Sequence, residues 1–345
     1  AAPIDSPKTL RFSLGYDPAA SLHPITGESQ VNQDLTGLVY QGLYELDNTF
    51  TPQPVLAQSA TVSGDGLAWT FTLKPGAAFS DGTPLTAQHG ADSLNAARAA
   101  PLYAQRLASV TGAAAGEDGT LTVTLSAPNG NLPALLDIPI VLEQEDGSAP
   151  LGTGYYRYEA AGDSLLLRAN PHNASASVLP YDAIPLAPAS DPAGRIAAFD
   201  SGGVSAVTTD FTSPYALGYS SSYETADFPT TTLLYVGFRA SGGMCRSPLA
   251  RRAFSLALDR EGAVRSDLSG HGDPAALPVS PLSGEYSQSA ADALSFDLEQ
   301  AAALLEQAGY EKGEDGLLYQ GKAPAEVTLL VNSDNDVRQA IAGRL

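Results

Sequence analysis

The sequence predicts an α/β fold built as more than one domain, on three observations. At 345 residues the chain is longer than one hydrophobic core usually serves. Two stretches, 67–73 and 121–125, alternate apolar and polar residues with the period of a half-buried strand. Apolar stripes at helical spacing open on capping residues at Thr86, Ser247 and Asp297.

Taken in order, Leu10, Phe12 and Leu14 place a short strand before Gly15, and a Pro-rich loop follows. Leu35, Leu38, Val39, Leu43 and Leu46 recur as on one helix face, with Gly37 and Gly42 as weak points. In GLAWTFTLKPG, Leu67, Trp69, Phe71 and Leu73 face one way, and GTLTVTLSAP repeats the pattern with Leu121, Val123 and Leu125. The two strands are expected in one antiparallel sheet. Between them, Pro75-Gly76 breaks the chain, Phe79 re-enters the core, and Asp81-Gly82 turns through an Asx-type hydrogen bond. Thr86 then caps a helix carrying Ala91, Leu94 and Ala97; His89 stands where a capping box wants Glu or Gln, which predicts a weakened cap.

YYRYEA and SLLLRAN read as a hairpin. DPAGRIAAFDSGGVSAVTTD reads as a helix, a Gly202-Gly203 stop and a strand, the return half of a βαβ unit. TTTLLYVGF reads as a buried strand. Ser247-Pro248 opens a helix with Leu249, Ala253, Leu256 and Ala257 inward, and Asp297 opens another that ends at Gly309. The strand EVTLLV and the beginning of a helix, DVRQAIAGRL, which stops in mid-pattern without a closing cap, follow, a pattern expected of a lobe that is cut short.

Charge narrows the partners. With 38 acidic against 18 basic residues the net charge is −20, which opposes nucleic acid and anionic membranes and favours a soluble monomer. Cys245 is the only cysteine, so neither an internal disulfide nor a Cys-based zinc site is available. His23, His89, His172 and His271 lack His-x-x-x-His spacing, and no cofactor or catalytic metal is expected. No run of about 20 apolar residues spans a bilayer, and AAPIDSPKTL lacks the apolar region of a secretory leader.

Four segments in sequence order carry a resemblance. FSDGTPLTAQHGADSL, LGTGYYRYEA, RSPLARRAFSLALDREGAV and DLEQAAALLEQAGYEKGEDG resemble the signatures of the extracytoplasmic solute-binding proteins of ABC transporters, specifically the peptide/nickel family, from about Leu10 to the end. Departures are Tyr155 where that family has proline, Gln88-His89 for Glu-Asp, Ser205 for Asp, and Arg239 for Asn. The resemblance implies a two-lobed α/β fold like the periplasmic binding proteins (type II, cluster C), with an extra β-rich subdomain in lobe one. It assigns 1–44 and 151–237 to lobe I, 45–150 to the subdomain and 238–345 to the front part of an incomplete lobe II.

The implied function is capture of a short peptide in a cleft between lobes and delivery to an ABC permease, outside the cytoplasm, without catalysis. Nickel complexes and oligosaccharides are alternatives within the family, and a sensor domain of the same fold is another. A hydrolase is the reading outside it, but Gly-x-Ser-x-Gly, His-Glu-x-x-His and a Cys-His pair are all lacking. Ligand contacts are expected at strand ends. Candidates are Tyr16, Asp17 and His23, then Asp210, Phe211, Tyr215 and Tyr219, with Asp210 for a peptide ammonium and Arg239 for a carboxylate.

Overall fold

A computed structural model describes residues 12–210 and 222–344. The chain divides into two compact units. The first holds the described residues up to Thr208 together with Ser222; the second holds Thr209, Asp210 and everything from Tyr223 onward.

The first unit begins with β1 (Leu14–Tyr16), the short helices α1 (Gln30–Gln33) and α2 (Thr36–Val39), and the paired strands β2 (Tyr44–Leu46) and β3 (Pro52–Pro54). Next come β4 (Ala57–Val62), β5 (Ala68–Leu73), α3 (Ala87–Ala99), α4 (Pro101–Ala104), β6 (Val110–Ala115) and β7 (Leu121–Leu125). The strands of this group form a sheet in the order β4-β5-β7-β6, with β5 and β7 antiparallel and Phe71 opposite Leu121, as their alternation predicts. The unit closes with the hairpin β8 (Tyr156–Ala161) and β9 (Ser164–Ala169), then β10 (Ala183–Pro188) and α5 (Pro192–Asp200). A second sheet runs β1-β10-β9-β8, in which β1 and β10 are parallel, and Ala206 adds a parallel bridge to Leu14. The strand read in VSAVTT is therefore reduced to one bridge.

Two family-like segments lock onto each other in this unit. Phe79 is fully buried, and the Ser80 amide donates to Gly152 O at 3.0 Å. The Gly154 amide donates to Val39 O at 2.9 Å, and the Asn170 side chain, itself buried, donates to Gly154 O at 2.9 Å. A Cβ on Gly152 would lie 2.1 Å from Val39 O, and one on Gly154 2.4 Å from Val39 C, so only glycine allows the two backbones to meet. The Asp81 turn forms as expected, its carboxylate accepting from Thr83 N at 2.8 Å. The cap of α3 is stronger than His89 suggests: its Nδ1 accepts from Thr86 N at 3.1 Å and closes the capping box in place of a carboxylate.

One helix expectation fails. The apolar spacing from Leu35 to Leu46 yields only α2 and then β2. Gln41 O accepts from Ile140 N (3.0 Å) and Tyr44 N donates to Leu136 O (3.2 Å), so an extended path gains long-range backbone bonds that a continued helix would forfeit.

The second unit contains α6 (Pro248–Ala257), α7 (Arg260–Asp267), α8 (Gln288–Asp292), α9 (Leu298–Gln307), the three-stranded sheet β11 (Glu311–Lys312), β12 (Leu318–Gln320) and β13 (Ala323–Pro324), and α10 (Asp336–Ala342). Ser247 and Asp297 cap α6 and α9 as the sequence predicts. Helices α6 and α9 pack through the buried Ala253 and Leu256 against Ala301, while Leu249 and Ala257, expected inward, are exposed. The strands expected at TTTLLYVGF and EVTLLV do not form: both stretches are coil, with Tyr235 79% and Leu330 89% exposed. Neither has a ladder partner among the described residues, and without one an apolar alternating run gains no backbone bonds.

Candidate functional site

In an open α/β sheet the carboxyl ends of parallel strands face the ligand. Here those ends belong to β1, β10 and the Ala206 bridge, and they carry Tyr16 and the turn that follows it. Tyr16 is half-buried against the core of the first unit. The turn is held by Asn32 of α1, which is buried. Its Oδ1 accepts from Asp17 N at 2.8 Å, and its Nδ2 is shared among the carbonyls of Asp17 (3.0 Å), Ala20 (3.3 Å) and Ser21 (3.2 Å).

The Asp17 carboxylate faces the loops themselves. Hydrogen bonds from the Ser190 hydroxyl, the Ala19 amide and the Ser29 hydroxyl hold it below the usual carboxylate range. Its close partner is the Ala19 amide, which donates to Oδ1 at 3.0 Å, while Ser190 follows β10 and Ser29 precedes α1 nearby. His23 is likewise committed: Nδ1 accepts from the amides of Ile25 (3.1 Å) and Thr26 (3.3 Å). That leaves Nε2 to carry the hydrogen and donate to Glu143 Oε1 at 3.0 Å. Behind β1, Gly15, Ala189 and Val204 line a cavity of about 60 Å³ with Asp34 and Arg195. Burial pushes Asp34 up, and the Gln30 amide (2.8 Å) and the Arg195 charge oppose it.

A larger cavity of about 430 Å³ opens in the same unit, within the range that small ligands occupy. Tyr40, Gln41, Glu45, Tyr103, Asp137 and Tyr155 supply its chemistry. The Tyr40 hydroxyl donates to Pro150 O at 2.9 Å, and burial pushes its pKa far up. Tyr103 donates to Pro24 O at 3.3 Å, which sets this wall beside the His23 loop. Burial raises the Tyr103 phenol and lowers the adjacent Arg106 guanidinium, and Arg106 is ion-paired with Asp137. Glu45 is exposed. These residues come from four separate segments, so no local motif announces them; the one sequence signal is Tyr155, noted where the family has proline.

The structure therefore brings Tyr16, Asp17 and His23 together on one edge. Asp210 is exposed in the second unit, as is Arg239, whose Nε donates to Ser241 Oγ at 3.2 Å. Phe211, Tyr215 and Tyr219 lie outside the described residues.

The fold is that of the α/β periplasmic-binding-protein class, type II. It is shared with a nickel ABC transporter protein from Bacillus halodurans (TM-score 0.69, 20% identity, covering 96% of this chain and 70% of that one). It is shared also with the periplasmic murein tripeptide binding protein MppA in its unliganded open form (TM-score 0.63, 19% identity, 96% and 70%). The oligopeptide-binding protein AppA from Bacillus subtilis, in complex with a nonapeptide, gives 0.56 at 20% identity (96% and 71%). Residues 51–343 match the family described as "Bacterial extracellular solute-binding proteins, family 5 Middle", and the chain belongs to it. Among relatives, the glutathione-binding protein GsiB of Pectobacterium atrosepticum is 27% identical over 329 residues, 91% of this chain and 63% of that protein. Protein XP55 of Streptomyces lividans is 29% identical over 347 residues, 92% and 60%. The chain thus spans about three-fifths of the length of these relatives. Among the described residues no helix is long and apolar enough to cross a membrane.

Proposed function

We propose that this protein captures a short peptide outside the cytoplasm and delivers it to an ABC permease, as the non-catalytic substrate-binding component of an importer. The observation that carries this reading is the family match over 51–343. Several similar proteins agree with it, with glutathione named for one relative and a nonapeptide and a murein tripeptide for two proteins of the same fold; the nickel transporter protein of that fold marks the alternative. On this reading 1–44 and 151–237 make lobe I, 45–150 its β-rich subdomain, and 238–345 belong to lobe II. Tyr16 and the cavity walls meet the peptide, while Asp17 and His23 hold the loop that presents them. Asp210 and Arg239 serve the charged ends of the ligand, and Phe211, Tyr215 and Tyr219 add aromatic surface.

Thermal unfolding of the purified protein tests the class. The screen holds di- to hexapeptides, glutathione, nickel with and without L-histidine, and a few oligosaccharides. Binding to the folded state raises the midpoint by linkage, about 2.7 kcal/mol of stabilisation at a hundredfold excess over Kd. A rise with peptides, with each peptide recovered unchanged by mass spectrometry, is the expected result. A flat response to peptides with a rise for nickel–histidine or a glycan overturns the peptide reading. Consumption of the peptide overturns the non-catalytic one.

A further inference from the structure

We propose that the 430 Å³ cavity of the first unit is a subsite for a cationic side chain, a lysine ammonium or arginine guanidinium, of the bound peptide. This inference rests on the peptide reading above and adds a charge preference to it.

Three features of the cavity select for positive charge. First, Glu45 and Asp137 line the cavity, and even with Arg106, which pairs with Asp137 from outside the lining, one negative charge is in surplus. Because Arg106 is ion-paired with Asp137, a ligand carboxylate would have to break a partly buried pair to reach the guanidinium. A ligand cation leaves that pair intact and finds Glu45 at the exposed rim. Second, Tyr40, Tyr103 and Tyr155 line the cavity, and the quadrupole of an aromatic ring attracts ammonium and guanidinium groups and not carboxylates. Third, the Tyr40 and Tyr103 hydroxyls already spend their hydrogens on Pro150 O and Pro24 O. Neither hydroxyl has a hydrogen left to offer a ligand carboxylate. Burial keeps both phenols un-ionised. Tyr155, the departure from the family pattern, supplies one of the three rings.

Isothermal titration of the protein with the tripeptides Ala-Lys-Ala, Ala-norleucine-Ala and Ala-Glu-Ala tests the subsite. Lysine should bind roughly tenfold tighter than norleucine, the size of a partly screened ion pair supported by a ring face, and glutamate should bind weakest. The lysine preference should shrink between low and high salt, because the rim is open to solvent. Glu45→Gln should reduce the preference to within about threefold of unity, and Tyr155→Leu should reduce it independently. Glu45 is exposed, so its variant should unfold at the midpoint of the parent, and a folded variant that keeps the full preference overturns the inference. If norleucine matches lysine, or glutamate binds tightest, the peptide reading stands and the cationic subsite falls. If none of the peptides binds, the peptide reading fails and this inference fails with it.

Discussion

In the first unit, the stretches that alternate apolar and polar residues become ladders. In the second, the apolar stretches read as strands remain exposed coil. Phe71 sits opposite Leu121 and is fully buried, whereas Leu330 of EVTLLV is 89% exposed. The helices tell the opposite story. Every α-helix among the described residues of the second unit has a side-chain N-cap, from Ser247, Asp259, Ser287, Asp297 and Asn335. In the first unit α1, α2 and α4 have none. The difference teaches that a helix is closed by residues within a few positions, so local signals suffice for it. A strand gains nothing until a distant partner arrives.

Trp69, the only tryptophan, lies in the first unit, so its fluorescence follows that unit's unfolding while far-UV circular dichroism follows both. The largest effect should come from Phe79→Ala. It removes a fully buried ring that meets the His89 ring edge-on at 5.0 Å, and should cost about 3–5 kcal/mol in the tryptophan-monitored urea transition. Gly152→Ala should follow, about 1–3 kcal/mol or more, since the added methyl meets Val39 O at 2.1 Å and must push two backbones apart. A Gly152→Ala variant as stable as the parent would refute the need for glycine where this backbone meets Val39.

Asp297→Ala should act in the second unit alone. It removes the acceptor of the Gln300 amide (2.8 Å), lowers the dichroism-monitored stability by about 1 kcal/mol and leaves the tryptophan transition in place. Leu330→Ser, in the exposed coil, should change stability by no more than about 0.5 kcal/mol. A large loss there would mean that the stretch is covered in solution.

The smallest effect is electrostatic and belongs to the first unit. The hydroxyl and amide of Thr49, then Gln53 and Thr51, lower the Asp47 carboxyl to about 2. A depressed folded pKa contributes stability that is present above the unfolded value of roughly 4 and is lost as pH falls toward 2. The tryptophan transition should therefore weaken over that acid window, and Asp47→Asn should flatten this part of the profile.

The candidate site was legible in part. The strand at the front was legible but not its end: β1 runs through Gly15, which was read as its stop, to Tyr16; the Asp81 turn needs only its own neighbours. Asn32 was not legible, because nothing in SQVNQDL shows that its amide serves Asp17, Ala20 and Ser21. Nor does the sequence show that Asp17 is engaged by Ser190. Both facts depend on residues far along the chain that only the packed sheet brings close.

By itself, then, the sequence determined the capped helices α3, α6 and α9, the Asp81 turn, the antiparallel pair β5 and β7, and the family. Each is written in residues adjacent on the chain or in a strong period. Tertiary structure decided that Gln41 and Tyr44 take an extended path past Leu136 and Ile140, and which apolar runs became strands. It also decided that four scattered segments close around one cavity. Those outcomes turn on backbone groups finding partners a hundred or so residues away, and a local pattern of apolar side chains carries no record of which partners will be there.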